Sequence, residues 1–186
     1  SLCTYEPQRA SDVYAMYQSV IMNRRVVPEA LLWKDCPEEH RGSVDYLMEV
    51  IDWERNTDPD FYTHNFMKPQ PARPVEETES EGYVENWISY KSDAFSAKEL
   101  TVLPGSSVTV RDAAAYGMVM VQGHGRMGVW PVEAPALIRF GQLTHDEFFV
   151  SEQAAREGVK ISNPSPTDPL VMLKHFGPGN PDLESL

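Results

Sequence analysis

Residues 95–103 read FSAKELTVL, and after a Pro104-Gly105 turn residues 107–110 read SVTV. Both runs are short, rich in apolar and β-branched residues, and separated by turn residues, which is typical of antiparallel strands. Comparable runs occupy residues 83–90, 116–122, 127–132, 136–140, 147–151, 159–162 and 170–176. About eight or nine short strands with regular turns predict a mainly β fold, either a sandwich or a barrel.

The first third of the chain has helical periodicity instead. Ser11 precedes apolar residues that recur every three or four positions as far as Ile21, which predicts a helix with Ser11 as its N-cap. Pro28 stands where a second helix can begin, and Ser43 suits the N-cap of a third. Because the turn-rich residues 56–60 follow, we predict a helical N-terminal segment over residues 1–58 and a barrel domain over residues 59–186.

Several shorter segments have local predictions of their own. Residues 61–67 have a strand-like pattern, and residues 152–157 read as one short helical turn. The acidic run from Glu76 to Glu85 predicts a solvated loop rather than a metal-binding cluster. The sequence GHGRMG at residues 123–128 matches GxGxxG, but the residues after it favour extended structure, so we predict a hairpin turn rather than a dinucleotide site.

The composition is that of a globular protein and argues against two classes of partner. Of 186 residues, 41% are apolar and 24% are charged, and the net charge is −12. An acidic surface repels phosphate backbones, and no apolar run reaches the ~18 residues of a membrane helix, so we expect neither nucleic acid nor membrane as a partner. Cys3 and Cys36 are the only cysteines, and the first residues lack a signal-peptide pattern, which predicts a cytoplasmic protein.

The histidines do not form a recognised metal motif. Neither HExxH nor HxH occurs among His40, His64, His124, His145 and His175. Residues from distant strands can still share one barrel face, so His145, beside Asp146 and Glu147, is the first metal candidate and His64 the second. No nucleophile motif is present, because GxSxG is absent and the acidic neighbours of Cys36 oppose thiolate formation.

Three segments resemble the cupin barrel. They are residues 95–100, the Leu103-Pro104-Gly105 turn, and residues 116–125, within a likeness that covers about residues 85–176. The resemblance is to cupins of the mannose-6-phosphate isomerase type, in particular to their C-terminal barrel. It implies a cupin-like antiparallel β-barrel of the jelly-roll kind in the second part of this chain, after the N-terminal helical segment.

The chain departs from that family at the metal ligands. Where metal-binding members carry HxH, it has Val110-Arg111-Asp112, and Tyr116 stands at the position of the family's glutamate. Of the usual ligands, only His145 falls near its expected place. The cofactor is therefore either none or a divalent metal held by unusual ligands, of which the candidates are His64, Glu99 and Glu147.

The resemblance implies a protein related to sugar-phosphate isomerases that binds a small, sugar-like ligand. Isomerisation moves a proton between adjacent carbons, which needs a base and a cationic partner. We expect Glu147 or His145 as the base and Lys98 as the partner, a role open to Arg111 as well. The residues expected to contact the ligand are Glu99, Arg111, Asp112 and Tyr116.

Whether the chain is an enzyme stays open at this point. The alternative is a non-catalytic cupin barrel that serves ligand binding or oligomer assembly, with a homodimer as the expected assembly. A metal-dependent oxygenase or lyase is a third hypothesis, which requires two histidines and a carboxylate around one ion.

Overall fold

The computed structural model describes residues 20–21, 24–34, 36–137 and 140–185, and the chain divides into two compact units, Ser1–Phe66 and Met67–Leu186. The elements of the first unit are short. They are β1 (Val20–Ile21), β2 (Arg25–Val26), α1 (Glu29–Leu32), a 3₁₀ helix (Glu38–His40), α2 (Val44–Glu49), α3 (Trp53–Asn56) and α4 (Phe61–Asn65).

The local signals of the first unit are confirmed in part. Helix α1 follows Pro28, and the Ser43 side chain caps α2 by accepting a hydrogen bond from the Tyr46 N–H at 3.2 Å. The helix predicted after Ser11 lies mostly outside the described residues, and its predicted end is strand β1. The strand predicted over residues 61–67 is wrong, because residues 61–65 form α4, where Tyr62 and Phe66 stack one helical turn apart.

The second unit is a curled antiparallel sheet. Its elements are β3 (Gln70–Pro71), α5 (Val75–Glu81), β4 (Tyr83–Ser89), β5 (Ser96–Val102), β6 (Ser107–Val110), β7 (Tyr116–Met127), β8 (Trp130–Ala134), β9 (Glu147–Val150), α6 (Glu152–Glu157), β10 (Val159–Ser162), β11 (Leu170–Phe176) and a 3₁₀ helix (Pro181–Ser185). The strand order is β3-β4-β5-β11-β7-β10-β6, with β8 and β9 also paired to β7. Every pairing is antiparallel, which confirms the predicted mainly β fold.

The long strand β7 joins the two halves of the sheet. Its first residues pair with β9 and β11, and its last residues pair with β8 and β10. Apolar side chains from both halves therefore face one another in a single core. Its most buried large members include Trp87, Leu100, Met118, Ile161 and Met172.

Two glycines of GHGRMG, Gly123 and Gly125, lie inside β7 rather than in a turn. A Cβ on Gly123, whose φ is +89°, would stand 2.6 Å from the Pro169 carbonyl oxygen, and a Cβ on Gly125 would collide with the Ser162 carbonyl oxygen. The third glycine, Gly128, lies in the hairpin turn between the antiparallel strands β7 and β8, which confirms that part of the prediction. Because strand β8 and not a helix comes next, the motif lacks the geometry of a dinucleotide site.

Two other predictions for this unit are corrected. The acidic run is helix α5 followed by the start of β4, so Glu85 is a buried strand residue and not part of a solvated loop. Residues 136 and 137 are not in a strand, whereas the predicted strand there extended to residue 140. Among the described helices, none is long and apolar enough to cross a membrane.

Candidate ligand-binding site

Two lysines lie side by side on the inner face of the barrel. Lys98 on β5 pairs with Lys174 on β11, and the burial pattern of each strand places both side chains inside. Lys174 is fully buried and Lys98 is 4% exposed. Like charges opposite each other on adjacent strands are destabilising, so these ammonium groups require carboxylates close by.

Glu85 on β4 and Asp112, just after β6, supply those carboxylates. The two oxygens of Asp112 accept hydrogen bonds from Lys98 Nζ at 2.8 Å and from Lys174 Nζ at 2.6 Å. Glu85 Oε1 lies 2.5 Å from Lys174 Nζ, and Glu85 Oε2 lies 3.6 Å from Lys98 Nζ. We call Glu85, Lys98, Asp112 and Lys174 the charged tetrad; its two positive and two negative charges balance.

The opposite charges of the tetrad keep both lysines and Asp112 ionised. Burial alone would lower the pKa of Lys98 and Lys174, but Glu85 and Asp112 raise the pKa of both lysines above the ordinary value. Burial alone would raise the pKa of Asp112, but Lys174 and Lys98 hold that pKa below its usual range. The barrel interior is therefore charged, although it is almost closed to solvent.

Aromatic rings surround the tetrad. Lys98 Nζ lies 4.5 Å from the centre of the Trp87 ring, and Lys174 Nζ lies 5.0 Å from the centre of the Tyr116 ring. Within the described part of the chain, the buried Tyr116 hydroxyl has no hydrogen-bond partner. Burial, reinforced by Asp112 and Glu85, raises the pKa of Tyr116, so this hydroxyl stays protonated.

A cavity of about 450 Å³ adjoins the tetrad. Glu85, Trp87 and Lys98 form part of its wall. Arg73 also lines the cavity, and its guanidinium donates to both Glu81 oxygens, at 2.8 and 2.9 Å, and to the Tyr83 hydroxyl at 2.7 Å. This bidentate geometry fixes the guanidinium plane, so the wall is polar and ordered.

Arg111 and Asp182 also line the cavity. Asp182 accepts hydrogen bonds from Lys98 Nζ at 3.3 Å and from the Ala113 N–H at 3.1 Å. Arg111 is exposed, and its guanidinium has no ion pair or hydrogen bond with any other residue that the structure describes. The cavity therefore has an uncommitted cation on its lining.

The structure brings several of the predicted site residues together. Lys98 and Asp112 belong to the tetrad, Tyr116 packs against it, and Arg111 lines the adjoining cavity. Glu99 does not join them, because it follows Lys98 on β5 and its side chain points to the opposite face of the sheet.

The predicted bases lie elsewhere. His145 and Glu147 are exposed and line a different cavity from Lys98, and His145 Nδ1 lies 3.7 Å from Glu133 Oε1. His64 belongs to the first unit, where its Nδ1 lies 2.6 Å from Asp58 Oδ2. The structure therefore does not gather Glu147, His145 and Lys98 into one site.

The donor groups around the tetrad do not fit a divalent metal. Within the residues that the structure describes, no group of three His, Cys, Asp or Glu side chains could hold an ion. The oxygens of Glu85 and Asp112 instead face two ammonium groups at 2.5 to 3.6 Å, which already supply two positive charges. The tetrad therefore lacks the free carboxylate oxygens that a divalent ion requires.

No family model and no curated protein matches this chain. Among solved structures, it is similar to an RmlC-like cupin protein from Ralstonia eutropha, at 10% identity over 60% of this chain and 63% of that one, with a TM-score of 0.40. It is also similar to a cupin 2 domain-containing protein from Halorhodospira halophila, at 17% identity over 53% and 66% of the two chains, with a TM-score of 0.39.

A third similar structure is a mutant of the oxalate decarboxylase OxdC from Bacillus subtilis, at 18% identity over 59% of this chain and 28% of that one, with a TM-score of 0.38. In each of these three comparisons, this chain spans less than two thirds of the other chain's length.

Three residues at this site, Glu85, Lys174 and Asp182, are not among the site residues predicted from the sequence. Glu85 and Lys174 occur at inward positions of YVENWIS and LVMLKHF, where apolar residues alternate with others. A charged residue at an inward position of such a strand is a signal for a buried polar site. Asp182, from the C-terminal 3₁₀ helix, had no comparable signal, because only the fold brings it to Lys98.

Proposed function

We propose that the second unit binds a small, polar, sugar-like molecule in the cavity beside the charged tetrad. One observation carries this proposal: Glu85 and Lys98 line the cavity, although they are only 6% and 4% exposed. Burying ions costs several kcal/mol each and is a poor source of stability. Ions that border an open cavity can instead offer fixed hydrogen-bonding groups to a ligand.

The cavity wall matches the chemistry of a sugar. A sugar hydroxyl both donates and accepts hydrogen bonds, while a carboxylate only accepts and an ammonium only donates. Glu85 and Lys98 provide one group of each kind, 3.6 Å apart. The Trp87 and Tyr83 rings add flat apolar surface, and about 450 Å³ suits a small molecule.

Arg111 favours a ligand that also carries an anion. An uncommitted guanidinium can bind a carboxylate or a phosphate through two parallel hydrogen bonds. A sugar acid or a sugar phosphate would place its hydroxyls against Glu85 and Lys98 and its anion against Arg111.

Isothermal titration calorimetry with mannose, gluconate and mannose 6-phosphate tests this proposal. We expect Arg111→Gln to weaken binding of the two anions about tenfold, since a hydrogen bond to a charged group contributes about 1.5–3 kcal/mol. Arg126→Gln is the matched control, because Arg126 is exposed and its side chain donates to the Val129 carbonyl outside the cavity. Absence of binding by all three compounds at millimolar concentration contradicts the proposal.

Sugar-phosphate isomerisation is the candidate activity at this cavity. It requires a base and an acid close to the same substrate carbon atoms. The pair Glu85 and Lys98 favours it, because a carboxylate and an ammonium lie 3.6 Å apart on the cavity wall. In this proposal Glu85 takes the role of base that the sequence suggested for Glu147 or His145, and Lys98 keeps its role as the cationic partner.

Proton exchange distinguishes an isomerase from a binding protein. Mannose 6-phosphate incubated with the protein in D₂O is followed by NMR for loss of the C2 proton and for fructose 6-phosphate. Exchange that Glu85→Gln abolishes and Arg126→Gln preserves supports the isomerase. Binding without exchange favours the non-catalytic barrel.

Membership of the cupin superfamily is part of the same proposal. The sequence resemblance and the antiparallel, curled sheet support it. A homodimer and a cytoplasmic location stay predictions; light scattering coupled to size exclusion measures the first.

A further inference from the structure

A second cavity, of about 580 Å³, lies between strands β8 and β9. Both strands pair with β7, β9 with its first residues and β8 with its last. The cavity is distinct from the one beside the tetrad, since the two share no lining residue. Its apolar lining residues are Trp130, Pro131, Leu143, Phe148 and Phe149.

Three of these side chains are unusually exposed for their size. Trp130 is 57% exposed, Leu143 83% and Phe149 77%. Exposing large apolar side chains together around one concave surface is unfavourable, and such a surface is typical of a binding site. A small apolar molecule in this cavity would bury part of these side chains, which favours binding by about 25 cal/mol per Å² of apolar surface removed from water.

The polar residues that line this cavity are Gln142, Thr144, His145 and Glu147, and Glu147 is the carboxylate among them. Glu147 lines it, and its carboxylate has no ion pair or side-chain hydrogen bond with another residue in the described part of the chain. The neighbouring His145 has its own carboxylate, Glu133, at 3.7 Å. No lysine or arginine is among the lining residues that the structure describes.

Aromatic faces and a carboxylate together select a cation. The face of an aromatic ring attracts ammonium groups, most strongly for tryptophan, and the charge of a carboxylate adds to this attraction. The net charge of −12 also favours the approach of cations over anions. We propose that this cavity, formed by Trp130, Phe149 and Glu147, is a binding site for small hydrophobic ammonium compounds.

Calorimetric titration of the full chain tests this site with benzyltrimethylammonium, benzyl alcohol and phenylacetate as cationic, neutral and anionic probes of similar size. We expect the cation to bind at least about tenfold more tightly than phenylacetate. Glu147→Gln should weaken the cation about fivefold and leave benzyl alcohol unchanged. Glu76→Gln is the matched control, because it removes the same charge from an exposed position on helix α5. Trp130→Ala should weaken both benzyl alcohol and the cation.

Three results would overturn the inference. The first is equal binding of the cation and phenylacetate, and the second is an equal loss of affinity in Glu147→Gln and Glu76→Gln. The third is a dimeric protein by light scattering that becomes monomeric in Trp130→Ala, because a second copy would then cover this surface. Arg111→Gln should not change benzyltrimethylammonium binding, since Arg111 lines the other cavity.

Discussion

Replacing Lys174 by methionine is the sharpest test of the charged tetrad. Lys174 is fully buried and contacts Glu85 Oε1 at 2.5 Å and Asp112 Oδ2 at 2.6 Å. At an effective dielectric constant of about 20, each contact corresponds to an attraction of about 6 kcal/mol, which desolvation of the ions largely offsets. After Lys174→Met, Lys98 alone faces two buried carboxylates. Breaking a buried pair in this way costs about 3–5 kcal/mol, so we expect a loss of that size.

Urea unfolding followed by circular dichroism measures the change in the free energy of unfolding. Lys160→Met is the matched control, because Lys160 is exposed on strand β10 and carries the same side chain. We expect the control to change stability by less than about 0.5 kcal/mol. The two variants lose the same charge, so the difference between them reports the buried contacts.

The double variant Lys174→Met with Glu85→Gln separates charge from packing. Among the buried groups of the tetrad, it leaves one ammonium and one carboxylate, Lys98 and Asp112, which are 2.8 Å apart. We expect it to recover more than half of the loss, and it gives a measurement even if Lys174→Met does not fold. If Lys174→Met is as stable as Lys160→Met, the tetrad does not have the ionised arrangement described above.

Three further measurements test the fold and its charges. Gly123→Ala should lower the free energy of unfolding by more than about 2 kcal/mol, because φ at this position is +89° and the new Cβ would stand 2.6 Å from a carbonyl oxygen. Gly117→Ala, whose Cβ would have no atom within 4 Å, should lower it by less than about 1 kcal/mol. Equal losses in the two variants would contradict this. The pKa of Asp112 is lowered in the folded state, so its contribution to the free energy of unfolding is present above about pH 4 and is lost as the pH falls further. Asp112→Asn should therefore make stability less dependent on pH in the acid range. An unchanged pH dependence would argue against the pairing of Asp112 with the two lysines. Asn163→Ala should cost about 2–3 kcal/mol, because the buried amide donates to the Val102 carbonyl at 3.0 Å and to two others; a urea midpoint equal to wild type would refute this role.

The sequence was most informative where strands are short and alternate regularly. The strands Ser107–Val110, Val159–Ser162 and Leu170–Phe176 and the helix Glu152–Glu157 have the predicted bounds. Strand β7 is longer than predicted because glycine, usually a turn residue, is here required by close approach of another segment. Local patterns do not report such contacts, since the approaching atoms belong to residues about forty positions away.

The site was predictable only in part for a related reason. Lys98, Arg111, Asp112 and Tyr116 come from neighbouring elements in the sequence, and the resemblance to cupins pointed to that region. Lys174 joins them because strand β11 inserts between β5 and β7, a pairing over long sequence separation that periodicity does not specify. His145 and Glu147 were predicted because polar residues are adjacent there in the sequence. In the structure they line the cavity between β8 and β9 and not the one beside the tetrad.

The two cavities differ in the kind of ligand that their charges allow. Beside the tetrad, charged groups are buried and their partners are fixed, so a ligand there must supply matching hydrogen bonds or lose affinity. Between β8 and β9, the rings are exposed and one carboxylate is uncommitted, so shape and charge select the ligand more than hydrogen bonds do. Arg111 and Glu147 are the uncommitted ions of the two cavities, and their charges are opposite. Exchanging the sign at each position should therefore reverse ligand preference at that cavity without changing the other one, which a single shared site could not do.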